Sequence, residues 1–189
     1  MLLDEYDVND WMIEKTGDKG YYIRAVKRVA IPENKPRIVA IYSELAQMLR
    51  NYPHALGRLI YANDWRSLMT GIIVVVLQNA VEYEDYLVRR LVRGCWISPQ
   101  VGSGVALLSK RTSISELEDV LVKGSGPSIE SLRLKVTLST YATLKILNNP
   151  IAENFEKSDE FQRLLDEDRD ECIGWTNYHY NFWKDVPKV

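Results

Sequence analysis

Side chains that form covalent intermediates or move protons near neutral pH are scarce here: 189 residues hold two cysteines and two histidines. Cys95 and Cys172 stand alone, with no CxxC and no neighbouring His cluster, which excludes a zinc knuckle and a disulfide framework. Both read as reduced, buried small side chains. A reactive-thiol reading of Cys95 rests on nearby Arg93, because a thiolate needs a cation, but no His is close in sequence. His54 follows Pro53 at a helix start, where a surface or capping role is usual, and His179 sits between tyrosines, where packing or an interface is the ordinary role. No GxSxG elbow, HExxH pair, Walker-type loop or GxGxxG turn occurs. Asp166, Asp168 and Asp170 are spaced like the first ligands of a calcium loop. The required Gly and distal Glu are replaced by Glu171 and Asn177, so that site fails. The expectation is a non-catalytic protein with no metal and no cofactor, although helix-borne acid pairs can do acid/base chemistry without any motif.

Long apolar runs are missing as well. The most apolar stretch, Ile72 to Leu77, ends at Gln78-Asn79 and falls far short of the roughly 20 residues that span a bilayer, so it reads as a buried core element. The opening Met1-Leu2-Leu3-Asp4-Glu5-Tyr6-Asp7 is acidic where a secretory signal is basic and then apolar. A soluble, cytoplasmic protein without a membrane partner is expected. Strand signals are nearly absent, since no Asn-Gly or Asp-Gly joins two alternating runs. With 46% apolar and 26% charged residues, the composition is globular, and the length fits one domain over 1–189.

What is present is helical spacing. Tyr6, Trp11, Met12 and Ile13 suggest a short helix closed near Gly17, and Tyr21 to Ala30 a second one stopped by Pro32. From Pro36 to Arg50 the residues Ile38, Ile41, Tyr42, Leu45, Met48 and Leu49 make one stripe. A helix from Pro53 presents Leu56, Leu59, Ile60 and Tyr61. Asn63-Asp64 then caps a helix from Trp65 to about Ala80, whose all-round apolar middle predicts a central position; its β-branched residues make a strand the competing reading. Glu82 to Cys95 places Tyr83, Tyr86, Leu87, Leu91 and Trp96 inward. Ser98-Pro99 opens a helix containing Gly102 and Gly104, which tight helix packing would explain. Ser113 to Glu116 reads as a capping box, and the helix it starts ends at Gly124. Ser128 to Leu147 is a long helix ended by Asn148-Asn149-Pro150, and Ser158 caps one more. Eight to ten antiparallel helices with short turns make the fold class all-α.

At Asp85-Tyr-Leu-Val88-Arg89, followed by an apolar helix and a Ser-Pro restart, the chain resembles the Asp-x-x-Val-Arg phrase in the second helix of HEAT repeats. Stacked helix pairs of that family bury a continuous core, and the resemblance implies that Asp85 and Arg89 link neighbouring repeats. The phrase occurs once and without a fixed period, so a HEAT- or armadillo-like array and an irregular helical bundle both stay open.

Charge is segregated although the net value is −2. Residues 1–18 sum to −5, 19–152 to +8, 153–171 to −6 and the remainder to +1. Such blocks steer charged partners, or they neutralise one another in the folded chain. The expected partner-binding residues are the acids Glu153, Glu156, Asp159, Glu160, Asp166, Glu167, Asp168, Asp170 and Glu171, with the aromatics Trp175, Tyr178, Tyr180 and Trp183. The aromatics have a second reading, as a segment that folds back to cap the core. Small, acidic, helical bacterial proteins without catalytic motifs often occlude toxins. By that analogy the expected function is an immunity protein that binds and inhibits a cognate, basic toxin domain. The alternatives are a HEAT-like DNA-binding protein or DNA glycosylase that uses Arg89, Arg90, Arg93, Lys110 and Arg111 as a phosphate track, and a structural adaptor subunit. With a sequence pI near 5.8, nucleic acid is the less expected partner.

Overall fold

The computed structural model describes residues 5–16, 35–164 and 166–189, without the side chains of 5–7, 9 and 166–170. Eleven α-helices and one 3-10 turn form among these residues, and no strand. No described helix is long and apolar enough to cross a membrane. The expected helix over Tyr21 to Ala30 lies outside the described residues. The chain divides into two compact units, Met1–Ala80 with Asp185–Val189, and Val81–Lys184.

In the first unit, α1 (Glu5–Thr16), α2 (Lys35–Leu49) and α3 (Pro53–Tyr61) precede α4 (Trp65–Gln78). The Asp64 carboxylate accepts the backbone N–H groups of Arg66 and Ser67 at 3.1 and 2.9 Å, which fixes the start of α4. Every residue from Ser67 to Leu77 is buried, as an all-round apolar helix requires, and α4 packs against both α2 and α3. Its close approach to α3 depends on Gly71, where a Cβ would lie 3.0 Å from the Ile60 backbone nitrogen. At the far end Asn79 adopts φ 53°, and the Val189 N–H donates to the Leu77 carbonyl at 2.9 Å. Ile38, Ile41, Tyr42, Leu45 and Leu49 are buried as the α2 stripe predicts. Tyr61 corrects the α3 stripe, because it stands 59% exposed at the end of the helix.

The second unit opens with the 3-10 turn Val81–Tyr83 and contains α5 (Glu84–Arg93), α6 (Ser98–Leu108), α7 (Ser115–Lys123) and α8 (Glu130–Ile146). It closes with α9 (Pro150–Glu156), α10 (Asp159–Arg163) and α11 (Asp166–Trp183). At the centre α6 packs on α5, α8 and α11, and α8 also meets α7, α9 and α11. Small residues set that spacing: a Cβ on Gly102 would lie 2.4 Å from Thr143 Oγ1 and 3.2 Å from the Ser139 carbonyl oxygen. The α6–α8–α11 core is unusually polar, with Gln100, Ser103, Ser139, Thr140, Thr143, Thr176 and His179 all buried. Threonine hydroxyls there return to their own helices, Thr143 to Ser139 O at 2.7 Å and Thr176 to Cys172 O at 3.0 Å.

Three local expectations fail for identifiable reasons. Ser98 is not the N-cap of α6; Ile97 is, and the Ser98 hydroxyl instead donates to Cys95 O at 2.7 Å and accepts the Cys95 N–H at 3.1 Å. The capping box at Ser113 does not form, because α7 starts two residues later and Ser113 Oγ donates to Glu118 at 2.6 Å. Trp96 does not turn inward. It lies beyond α5 on a connection whose inner side is filled by α8, and it is 79% exposed.

Candidate functional site

The expected acidic surface is built on two short helices too small to hold themselves in place. Their ends are capped by side chains. Asn149 Oδ1 accepts the Ile151 N–H at 2.9 Å, and its amide donates to Thr112 O and to Glu118, each at 2.7 Å, tying the start of α9 to the region before α7. Ser158 Oγ accepts the Phe161 N–H at 3.2 Å at the start of α10. Beneath both helices lies an aromatic cluster, with Phe161 4.8 Å from Tyr141 and 5.6 Å from Phe155 between ring centroids. Because Phe155 and Phe161 point to α8, the remaining faces of α9 and α10 turn outward.

The exposed acids on those faces are Glu153, Asp159 and Glu160, with Glu171 on α11. Asp159 is open to solvent, its side chain 94% accessible and only loosely opposed by Arg163 at 3.9 Å. Glu156 differs, being half-buried and bound to Lys145 at 2.5 Å. The hydrogen bond from Lys145 is the main reason its carboxyl is held below the usual carboxylate range. The side chains of Asp166, Glu167, Asp168 and Asp170 lie outside the described residues. A cavity of about 470 Å³ opens between α8 and α10, lined by Glu130, Glu160, Arg133, Arg163, Leu134 and Leu164 among others. Its carboxylates and guanidinium groups offset one another in number, so it favours neither anion nor cation.

The aromatic segment is the second half of an 18-residue helix. Helical periodicity divides it between two environments. Trp183 is 3% exposed and His179 is buried, the latter with its Nε2 3.3 Å from Gln100 Nε2 on α6. Trp175, Tyr178 and Tyr180 are half-buried. Burial pushes the Tyr178 phenol up, and its ring meets His179 at 5.5 Å and Phe182 at 6.2 Å. Lys184 stands 6.0 Å over Tyr180. One face of α11 is therefore core, and Trp183 belongs to it.

No family model, curated protein or solved structure matches this chain.

The basic middle does not form an unbroken track. Arg111 donates to Glu84 through Nε at 2.9 Å and Nη2 at 2.6 Å, and Nη2 also reaches Asp85 at 3.1 Å. The Glu84 hydrogen bond raises the guanidinium pKa further. Arg90 turns toward Cys95, yet burial outweighs its field and pushes the Cys95 thiol up, which keeps the sulfur protonated rather than nucleophilic. Arg89 and Arg93 are exposed, and neither side chain has a partner among the described residues. Among the described residues no group of His, Cys, Asp and Glu is placed to hold a metal ion. The feature sequence reasoning missed is Trp96, with Lys135 4.9 Å above its ring. Its one signal was Gly94, which ends α5 two residues earlier and so removes Trp96 from the helical stripe.

Proposed function

We propose that this chain is a non-catalytic binding protein that docks a basic protein on the outward faces of α9 and α10 and the start of α11. The observation that carries this reading is the pinning of two very short helices by the Tyr141–Phe155–Phe161 cluster and two side-chain caps, with Glu153, Asp159 and Glu160 held outward. Carboxylates on anchored backbone lose little freedom when a partner binds, so their field contributes to encounter rate and register instead of being spent on ordering. In its most specific form the protein is an immunity-type inhibitor whose acidic face covers the basic active-site rim of a toxin. Half of the HEAT-like linkage supports an adaptor role as the related alternative: Asp85 accepts from Arg111, beyond the end of the next helix, whereas Arg89 links to nothing among the described residues. The DNA-binding or glycosylase reading is less well supported, since Glu84 and Asp85 neutralise one cation of the track and Arg90 faces inward.

The test is affinity purification from the native host with the partner identified by mass spectrometry, followed by the triple reversal Glu153→Lys, Asp159→Lys and Glu160→Lys. A basic partner whose affinity falls at least about tenfold supports the reading. Retention of an equally tight complex by the triple variant removes the acidic surface from the interface. A non-toxin partner held through the same acids favours the adaptor.

A further inference from the structure

The connection between α5 and α6 is shaped to hold a tryptophan in the open. Gly94 takes φ +81°, a conformation L side chains rarely adopt, and a Cβ there would lie 2.9 Å from both Leu132 Cγ and Val136 Cγ2 of α8. The backbone thus lies directly on α8, with Ile97 buried and Trp96 before it left outside. Trp96 projects outward and Lys135 of α8 stacks over its ring. Ile129, the extended N-cap residue of α8, is 63% exposed. At the end of α5, Arg89 and Arg93 stand one turn apart, exposed and without a partner among the described residues.

Four other cations of the unit are paired, while Lys110 and Arg133 are exposed and unpaired among the described residues, as Arg89 and Arg93 are. Arg111 is held by Glu84 and Asp85, Lys123 by Asp119, Lys145 by Glu156, and Arg163 loosely by Asp159. Bare guanidinium groups on α5, three and seven residues before an exposed Trp, have the composition of an interface hot spot, and the missing complement is carboxylate. The same unit displays that complement on α9 and α10, in Glu153, Asp159 and Glu160.

We infer that the Trp96 face is a self-association surface that receives the acidic α9–α10 face of a second copy of this chain. Trp96 supplies the buried anchor, and Arg89 and Arg93 take Asp159 and Glu160 of the other copy. The two patches are different surfaces, so a dimer closes only through two reciprocal contacts. A phosphate backbone is disfavoured as occupant, because the run of cations is broken where Glu84 and Asp85 neutralise Arg111 and Arg90 turns toward Cys95. A basic protein docked on Asp159 and Glu160 competes with this contact, so self-association is measured on the purified chain alone, where it stands or falls separately from the docking of a partner.

The experiment is sedimentation equilibrium of the purified chain at concentrations from roughly 5 to 500 µM, spanning weak protein contacts. The mass should rise above the 21.8 kDa monomer and fall back when salt shortens the reach of the charges. Trp96→Ala should weaken association about tenfold or more while circular dichroism and Tm stay unchanged, since so exposed a residue adds little to folding. The pair Arg89→Glu and Arg93→Glu should abolish association. Adding Asp159→Lys and Glu160→Lys to that same chain should restore it, a rescue that a merely structural effect cannot produce. A constant monomer mass, association indifferent to Trp96→Ala, or failure of the charge swap to rescue each overturns the inference. Binding of a labelled single-stranded oligonucleotide that is lost in Trp96→Ala would overturn it in favour of a nucleic-acid surface.

Discussion

Replacing Gly102 with Ala places a methyl carbon 2.4 Å from Thr143 Oγ1 and 3.2 Å from the Ser139 carbonyl oxygen, where α6 meets α8. On an exposed helix the same change would stabilise by up to about 1 kcal/mol, because Ala loses less backbone freedom than Gly. Here the contact must open. Thr143 cannot simply rotate away, since its hydroxyl donates to Ser139 O at 2.7 Å and the residue is buried. Overpacking of this kind costs roughly 1–3 kcal/mol, so the expected net effect is a destabilisation of about 1–2 kcal/mol. Urea unfolding followed by circular dichroism at the helical minimum measures it as a lower midpoint at unchanged slope. Thr143→Ala supplies the internal control, because it removes the obstructing oxygen. In that background Gly102→Ala should cost less than about 0.5 kcal/mol or stabilise, giving a coupling on the order of 1 kcal/mol in the double-mutant cycle. A Gly102→Ala protein as stable as the parent would refute the close-packing argument. Additive single effects would show that Thr143 is not the obstacle.

Three further outcomes follow from the same contacts. Asp64→Ala removes the acceptor of the Arg66 and Ser67 amides and should cost about 1 kcal/mol, seen as a lower urea midpoint that Asp64→Ser largely restores. Glu156→Gln tests the Lys145 pair: the folded carboxyl titrates below the usual range, so its contribution is complete above the ordinary carboxylate pKa and is lost as pH falls through the lowered value. The parent and variant should therefore differ slightly at neutral pH, converge in acid, and differ less in high salt, because the pair is open to solvent on one side. Cys95, half-buried and with its thiol pushed up by desolvation, should react with iodoacetamide more slowly in native protein at pH 7.5 than in urea; equal rates would contradict that placement.

Most of the helices, and three of the features that begin or end them, were legible from residues no more than four apart. The α2 stripe of Ile38, Ile41, Tyr42, Leu45 and Leu49, the Asp64 and Ser158 caps, and the end of α7 at Gly124 all rest on such local relations. The all-round apolar run Ile72 to Leu77 also determined that α4 would be central, because a helix without a polar face needs neighbours on every side. Of the candidate site, the exposure of Glu153, Asp159 and Glu160 agrees with their charge, while the neutralisation of Glu156 by Lys145, eleven residues away, was not readable. Tertiary structure alone decided the rest. The Arg111 bond to Glu84 spans 27 residues and removes a cation that the sequence counted as free. The inward turn of Trp183 and the outward turn of Trp96 depend on which space α6 and α8 had already filled. Helix spacing is a property of neighbours along the chain; exposure and charge pairing are properties of neighbours in space, and only folding brings those together.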